Sequence, residues 1–292
     1  MLSKELKKVY GPVYIFVLMF WVNISFKWRK LFKVEKNPLN HELIITLTSY
    51  PARFGMLHYT LKCLLRQSIQ PDRIILWIAY DDVEFLPKAV TELKHEGLEI
   101  RLTDDIRSYK KIIPALEAFP NAGFIITDDD LFYPRNIVKT LLNSAKRFAG
   151  SVIAGRVHRV TYDKNGNIAP YKSWHWNSTL EQSDDNFFTG CGSVFFPPQA
   201  FWAGVLNRDE FTRLAPTADD IWLNWMLKLK NTPIVGLRKP FVFWDWPDSQ
   251  KVSLNFKNVR EYGNDRQIGN MVKRYGQCYF RRATDGGTDT KC

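Results

Sequence analysis

Short apolar runs rich in β-branched residues alternate with stretches of helical periodicity through the middle of this chain, and this alternation limits the possible folds. The helical stretches are 54–69, 109–118 and 134–148, where apolar residues recur every three or four positions. Strand–helix–strand alternation predicts an α/β fold with a mostly parallel sheet and helices on both faces. The predicted strands are Leu43–Thr48 (LIITLT), Arg73–Ile78 (RIILWI), Leu98–Leu102, Phe124–Thr127 (FIIT) and Ser151–Ala154.

Three consecutive aspartates, Asp128, Asp129 and Asp130, begin at the end of the run FIIT. Ligands of parallel sheets bind at the carboxyl ends of the strands, so the triplet is expected where chemistry takes place. Adjacent carboxylates repel one another unless a cation compensates them. Hard divalent cations such as Mg²⁺ or Mn²⁺ combine a few protein carboxylates with phosphate oxygens, so the triplet predicts a metal-diphosphate site. The alternative interpretation is a solvated acidic turn.

Two further segments offer groups that suit a nucleotide. The end of the first strand contains Thr48, Tyr50 and Arg53, which supply hydroxyls, backbone N–H groups and a guanidinium, although Ser-Tyr-Pro also occurs in ordinary loops. Lys110 and Lys111 precede the triplet by fewer than twenty residues. A lysine there either meets a diphosphate or lies on a solvated helix face, and the sequence leaves both interpretations open.

An acidic pair, Asp219 and Asp220, opens a helical segment about ninety residues after the triplet. Thr217 or Asp219 can cap this helix, and acids in the first turn suit its dipole. A cap needs only one aspartate, so the other is a candidate general base.

Two segments between the triplet and the acidic pair are candidates for contact with a second substrate, the acceptor of a transferred group. In Thr189–Ser193 (TGCGS), Gly190 and Gly192 let a ligand approach the backbone closely. The stretch Trp174-His175-Trp176 is polar, and an aromatic face there suits a sugar, whereas most other tryptophans are expected in the core.

An apolar run from Val9 to Phe26 has lysines and arginines on both sides. A spanning helix needs about 20 apolar residues, whereas this run has 18 and includes Gly11-Pro12 and Asn23. The competing interpretations are a spanning anchor, a helix in the membrane interface, a signal peptide and a buried core helix. A signal peptide is disfavoured because Lys27-Trp28-Arg29-Lys30 follows in place of a cleavage site. The basic flanks favour membrane association, with a cytoplasmic body if the helix spans.

The net charge of +11 is concentrated at the two ends of the chain. Residues 1–36 carry +6 and residues 257–292 carry +4, which leaves +1 for residues 37–256. We therefore expect a membrane-associating segment (1–36), a catalytic domain (37–256), and a basic helix at 264–275 followed by a frayed tail from Thr284. Nucleic-acid-binding proteins carry their charge on the folded domain, so an anionic membrane surface is the expected partner and nucleic acid is not.

Four cysteines lie far apart, at positions 63, 191, 278 and 292, and form no CxxC pair. Neither a zinc site nor a disulfide framework is indicated, and a reducing compartment is expected.

Taken together, these motifs resemble those of GT-A fold glycosyltransferases, which use nucleotide-sugar donors. The resemblance covers residues 42–250 and is carried by IITLTSYPARF, the DXD-type triplet, TGCGSVFFPP and TADDIWL. Among these, the sequence resembles bacterial enzymes of surface-polysaccharide or lipopolysaccharide synthesis. The resemblance implies a Rossmann-like, mostly parallel sheet behind the N-terminal hydrophobic helix, and a site at the cytoplasmic face of the inner membrane.

The resemblance also implies roles for particular residues. Asp128 and Asp129 would contact the donor, with Asp128 on the ribose or the sugar, and Asp130, with help from Asp128, would ligate Mn²⁺ or Mg²⁺. Asp220, in preference to Asp219, would deprotonate the hydroxyl of a saccharide or glycolipid acceptor, which implies inversion of the anomeric centre. The remaining matched residues would bind the nucleotide, and these are Thr48, Tyr50, Arg53 and Lys111. Some relatives use a late histidine as a metal ligand, but no histidine follows His175 here.

Two other classes remain as alternatives. A haloacid-dehalogenase-type phosphatase also has an Asp-x-Asp after an apolar strand, with Asp128 as nucleophile and Asp130 as acid/base. In this chain the triplet follows three strands, Leu131-Phe132 replace a small polar residue, and the acidic pair opens a helix. The other alternative, a non-catalytic membrane-bound binding module, leaves the acids at the strand ends unexplained.

Overall fold

The apolar runs of the sequence form the strands of a central sheet. The computed structural model describes residues 4–178, 182–239, 241–247 and 263–276. Its strands are β1 (Glu35–Lys36), β2 (Leu43–Thr48), β3 (Ile69–Gln70), β4 (Arg73–Ala79), β5 (Leu98–Thr103), β6 (Gly123–Ile126), β7 (Val152–Ala154), β8 (Val157–Arg159), β9 (Asn186–Phe188), β10 (Val194–Phe196) and β11 (Ile234–Gly236). Its α-helices are α1 (Lys4–Lys27), α2 (Phe54–Leu65), α3 (Lys88–Thr91), α4 (Ile113–Ala118), α5 (Ile137–Arg147), α6 (Arg208–Leu214), α7 (Asp219–Leu229) and α8 (Gly263–Tyr275).

The central sheet has the strand order β11-β7-β10-β6-β2-β4-β5. Neighbouring strands are parallel except at β10, which runs antiparallel to both β6 and β7. The chain passes from β2 to β4 and β5 on one side and reaches β6 on the other, so the strand order reverses between β2 and β6. Such a reversal opens a crevice at the carboxyl ends of the strands. The prediction of an α/β fold with a mostly parallel sheet is confirmed.

Helices cover both faces of the sheet, as the alternation predicted. Along β2, Leu43, Ile45 and Leu47 are buried in one apolar cluster with residues of α1, α2 and α5. Ile44 points the other way, into a second cluster with residues of α4, α6, α7 and α8. Successive side chains of a strand point to opposite faces, so one strand contributes to both layers of the core.

All three helices predicted in the middle of the chain differ from the structure in their bounds. The helix predicted from Pro134 begins at Ile137, in α5. The helix predicted to continue to Ile69 ends at Leu65, because Ile69 pairs with Glu35 in the short parallel sheet of β1 and β3. The helix predicted over 109–118 is divided into a 3-10 helix at Arg107–Lys111 and α4. Pro114 lies in the first turn of α4, where its missing N–H costs nothing.

The two terminal helices pack on the sheet domain. Leu18 and Val22 of α1 are buried against it, and α8 contributes Ile268 and Met271 to the core. The helix predicted at 264–275 is therefore confirmed. In the described part of the chain, no helix combines the length and the apolar character that crossing a bilayer requires. The predicted boundary at 256/257 and the tail from Thr284 lie outside the described residues.

Candidate functional site

The topology brings three predicted segments to one edge of the sheet. Strands β2 and β6 are parallel neighbours, with Thr46 opposite Ile126, so the loop after β2 lies beside the aspartate triplet. Strand β10 is antiparallel to β6 and begins with Val194 opposite Ile126. The glycine-rich loop that precedes β10 therefore reaches the same edge. Residues far apart in sequence meet at the point where the strand order reverses.

The middle aspartate of the triplet has a structural role. One carboxylate oxygen of Asp129 accepts a 2.5 Å hydrogen bond from Ser49 Oγ, and the other accepts one of 2.7 Å from Arg53 Nη1. Both oxygens are engaged by protein groups and the residue is buried. The expectation that Asp129 contacts the donor is therefore not supported, and the Arg53 side chain pairs with Asp129 and Asp130 instead of lying open to a nucleotide.

Asp130 shares the Arg53 guanidinium with Asp129. Its Oδ2 lies 3.2 Å from Arg53 Nη1, and its main-chain carbonyl accepts a hydrogen bond of 2.8 Å from Trp246 N. Burial, Asp128 and Asp129 together raise the pKa of the Asp130 carboxyl to about 7, although Arg53 lowers it. A carboxylate in this environment is stabilised when a further cation approaches.

Lys111 connects the triplet to the acidic pair. Its Nζ lies 3.8 Å from Asp128 Oδ1 and 2.9 Å from Asp219 Oδ2. The lysine is buried, so the interpretation as a solvated helix face is wrong. Burial lowers the pKa of Lys111, but Asp219, Asp128 and Asp220 outweigh this effect and the pKa lies above its usual range. Lys111 thus stays charged among three carboxylates.

The acidic pair begins α7, but neither of the expected caps forms. The N-cap position is Ala218, whose side chain offers no acceptor. The Thr217 hydroxyl accepts a hydrogen bond of 3.0 Å from Gln267 Nε2 in α8, and Asp219 is paired with Lys111. Acids in the first turn of the helix were predicted correctly, and both are left for other roles.

The carboxyl of Asp220 has a pKa close to neutral pH. Burial and Asp219 raise the pKa of its carboxyl to about 7, although Lys111 and the Gly190 N–H lower it. The Gly190 N–H donates a 2.9 Å hydrogen bond to Asp220 Oδ1. Asn224, one turn further along α7, donates to the Asp220 carbonyl at 2.7 Å and holds the first turn in place. A carboxylate with a pKa near the working pH suits a general base.

The two glycines of the loop make room for the protein's own side chains rather than for a ligand. A Cβ on Gly190 would lie 2.7 Å from Lys111 Nζ and 2.9 Å from Asp220 Oδ1. At Gly192 the backbone has φ +97°, and a Cβ would lie 2.7 Å from the ring of Phe243. The expectation that an acceptor approaches the backbone at Gly190 and Gly192 is therefore not supported, because side chains of the protein itself lie against both positions.

The other nucleotide candidates lie at the same sheet edge. The Thr48 hydroxyl donates a 2.8 Å hydrogen bond to the Trp77 carbonyl, so it retains only the capacity to accept. Tyr50 is half-buried, and its ring lies 5.7 Å from the Arg53 guanidinium carbon. The loop after β2 thus presents one aromatic ring beside the acidic triplet.

Trp174 does not present a face to a sugar. Its indole is buried against Tyr171 and Phe187, and its N–H donates to the Ala169 carbonyl. His175 is exposed, and its backbone pairs with Arg159. The expectation that Trp174 presents its ring to a sugar is therefore wrong, because a large aromatic ring is stabilised by burial in the core.

Two further residues need mention: Trp176, which belongs to the candidate stretch Trp174-His175-Trp176, and Arg156, which sequence reasoning missed. Trp176 is 45% exposed and stacks on His158, with ring centres 4.9 Å apart. Arg156 follows β7 by two residues and donates a 2.6 Å hydrogen bond from Nε to Thr189 Oγ1. After burial, Arg156 is the main cause that lowers the pKa of His158 to about 4. The strand-end rule, applied to β7, would have identified Arg156.

The residues present fit a weakly coordinated divalent cation. Asp128 and Asp130 carry carboxylates that Arg53 and Lys111 do not fully compensate, as the raised pKa of Asp130 indicates. Among the described residues, no three His, Cys, Asp or Glu side chains converge as a complete metal site. Magnesium in particular commonly takes one or two protein carboxylates and completes its shell with phosphate and water.

Comparison of the sequence with protein-family models finds no match, and comparison with curated proteins finds none either.

Proposed function

We propose that this protein is a metal-dependent GT-A type glycosyltransferase that moves a sugar from a nucleotide-diphosphate donor to a hydroxyl of a saccharide or glycolipid. The observation that carries the proposal is the position of Lys111. Its ammonium joins Asp128, at the end of β6, to Asp219, at the start of α7. A donor-type triplet and an acceptor-type acidic pair thus form one charge cluster at the strand-order reversal, where α/β proteins bind ligands.

The donor half of the site is formed by the triplet and Lys111. Asp130 and Asp128 would hold Mn²⁺ or Mg²⁺, which when bound supplies positive charge for the diphosphate leaving group. Arg53, paired with Asp129 at 2.7 Å, fixes the side chain of the middle aspartate. Lys111 keeps a buried positive charge beside Asp128, in a setting where electrostatic interactions are stronger than in water.

The acceptor half of the site is formed by the first turn of α7. Asp219 is neutralised by Lys111 at 2.9 Å, whereas the pKa of Asp220 is about 7 because of burial and Asp219. Asp220 is therefore the better base, since near neutral pH it can take a proton from an incoming hydroxyl. A base that activates the acceptor on the face opposite the leaving group leads to inversion.

The proposal is tested by calorimetric titration of nucleoside diphosphates and nucleotide sugars with and without Mn²⁺. We expect one nucleotide to bind in a metal-dependent manner, and Asp130→Asn to weaken this binding at least tenfold. Asp104→Asn is the matched control, because Asp104 follows β5 at the same sheet edge but pairs with Arg208 on the surface.

Failure of every nucleotide to bind in the presence of Mn²⁺ would overturn the proposal. Hydrolysis of a simple phosphate ester by the same preparation, abolished by Asp128→Asn, would then identify a phosphatase. The position of Asp219 and Asp220 at the start of a helix rather than at the end of a strand argues against that class.

A further inference from the structure

A continuous apolar stripe lies on the outer face of α1. Its residues recur at intervals of three and four, so they share one side of the helix. Phe16 and Phe20 are each 68% exposed. Soluble surfaces seldom carry an uninterrupted apolar patch of this kind without a partner. The apolar stripe consists of Val13, Phe16, Val17, Phe20, Trp21 and Ile24.

The opposite face of α1 is fixed to the body of the protein. Leu18 and Val22 are buried against it, and Lys62 of α2 donates a 2.7 Å hydrogen bond to the Asn23 side chain. Near the start of the helix, the rings of Tyr14 and Trp244 lie 4.7 Å apart. These contacts hold the helix in one orientation, with the apolar stripe directed away from the core.

The apolar exposure continues past the end of the helix, where it is accompanied by positive charge. Trp28 and Leu31 are 51% and 75% exposed. Lys27, Lys30 and Lys33 are exposed beside them, and the sequence contains no acid between positions 6 and 34. Amphipathic aromatic and basic side chains next to an apolar surface are typical of segments that lie at an anionic lipid surface.

We propose that this face of α1, with the residues that follow it up to Val34, docks on an anionic lipid monolayer with the helix axis in the plane of the interface. The phenylalanines of the apolar stripe enter the acyl boundary, and the three lysines lie at the level of the lipid phosphates. The charge pattern favours lipid over a second copy of the chain. Lysines stand both before the apolar run (Lys4, Lys7 and Lys8) and after it (Lys27, Lys30 and Lys33), so two docked copies would bring like charges together in either orientation.

The helix that carries the docking face is connected to the candidate site. Trp244, which contacts Tyr14, accepts a 2.9 Å hydrogen bond at its carbonyl from Phe132 N. Two residues later, Trp246 N donates to the carbonyl of Asp130 at 2.8 Å. These contacts link α1 to the strand end that carries the aspartate triplet.

The test is sedimentation of the full chain with vesicles of phosphatidylcholine alone and of phosphatidylcholine with phosphatidylglycerol. We expect binding to the anionic vesicles, reduced at least tenfold in Phe16→Ser/Phe20→Ser and also in Lys27→Gln/Lys30→Gln/Lys33→Gln. Tyr80→Ser/Phe85→Ser is the matched control, since both rings are 58% exposed but lie after β4. The control should bind vesicles as the unmodified chain does.

Equal binding to neutral and anionic vesicles would overturn the proposal, as would unchanged binding of the Phe16→Ser/Phe20→Ser variant. Self-association in light scattering that this variant abolishes, without vesicle binding by the unmodified chain, would assign the stripe to a second copy. Nucleotide titration of the same samples keeps the two proposals separate. Asp130→Asn should retain vesicle binding and lose the nucleotide, and Phe16→Ser/Phe20→Ser should do the reverse.

Discussion

The ammonium of Lys111 and the carboxylate of Asp219 lie 2.9 Å apart in a buried ion pair that joins the two halves of the candidate site. Because Asp219 is used in this pair, Asp220 is the aspartate of α7 left to act on a substrate.

Asp220→Asn should abolish sugar transfer while leaving donor binding intact. The amide cannot accept a proton, and loss of a general base typically costs about 10²- to 10⁴-fold in rate. The measurement is turnover of the donor identified by calorimetry, alongside its dissociation constant. The amide oxygen of the asparagine can still accept from the Gly190 N–H. Retention of full turnover would exclude Asp220 as the base.

Activity and stability should depend on pH in opposite directions around the pKa of Asp220, which is about 7. Below pH 7 the carboxyl is increasingly protonated and cannot act as a base. Turnover should therefore rise about tenfold per pH unit as the pH increases to 7, and level off above it. The folded-state pKa is raised above the ordinary 3.8, so the folded protein binds this proton more tightly than the unfolded chain. Its contribution to stability is therefore full below about pH 4 and is lost as the pH rises towards 7.

The same profiles measured on Asp220→Asn provide the control for this pH dependence. The decline in thermal stability between pH 4 and 7 should be shallower, because one of the carboxyls with a raised pKa is gone. A decline as steep as in the unmodified protein would assign the effect to other groups. Asp130 is one such group, because the pKa of its carboxyl is also raised to about 7.

Lys111→Met should destabilise the protein by about 3 kcal/mol or more, because it leaves a buried carboxylate without its partner. The double variant Lys111→Met/Asp219→Asn should recover a large part of this loss, since no unpaired charge then remains at Asp219. Urea denaturation of both single variants and the double variant gives the coupling free energy. A coupling near zero would contradict the ion pair.

Gly190→Ala should lower turnover at least tenfold, because the new methyl group would lie 2.7 Å from Lys111 Nζ and 2.9 Å from Asp220 Oδ1. Gly269→Ala is the control. A Cβ at Gly269, within α8, has nothing within 4 Å, so alanine should stabilise the helix by about 1 kcal/mol. Equal activity of the two variants would show that the space at Gly190 is not needed.

Local patterns in the sequence predicted several elements to within a residue. The run LIITLT is β2 at Leu43–Thr48, and the C-terminal helix predicted at 264–275 begins one residue earlier, at Gly263. The core positions of α2 and α5 also follow from apolar residues at helical spacing. These features depend on neighbours within one or two turns of chain, and such neighbours are visible in the sequence.

The functional consequence of the acidic residues depended on contacts between distant parts of the chain. The aspartates were identified from the sequence, but the partner of Asp219 is Lys111, and that of Asp129 is Arg53. Thr217 is held by Gln267 rather than capping its own helix. Each contact spans at least 50 residues, so no local pattern could encode it.

By itself, the sequence determined the alternation of strands and helices, the positions of the acids at strand ends and the apolar, basic character of the N-terminal segment. Only the tertiary structure decided which aspartate is paired with a lysine, which aspartate has a pKa near 7, and which face of α1 stays exposed. The physical reason is that burial and charge pairing set the pKa of a carboxyl, and both are known only when the sheet edge has been assembled.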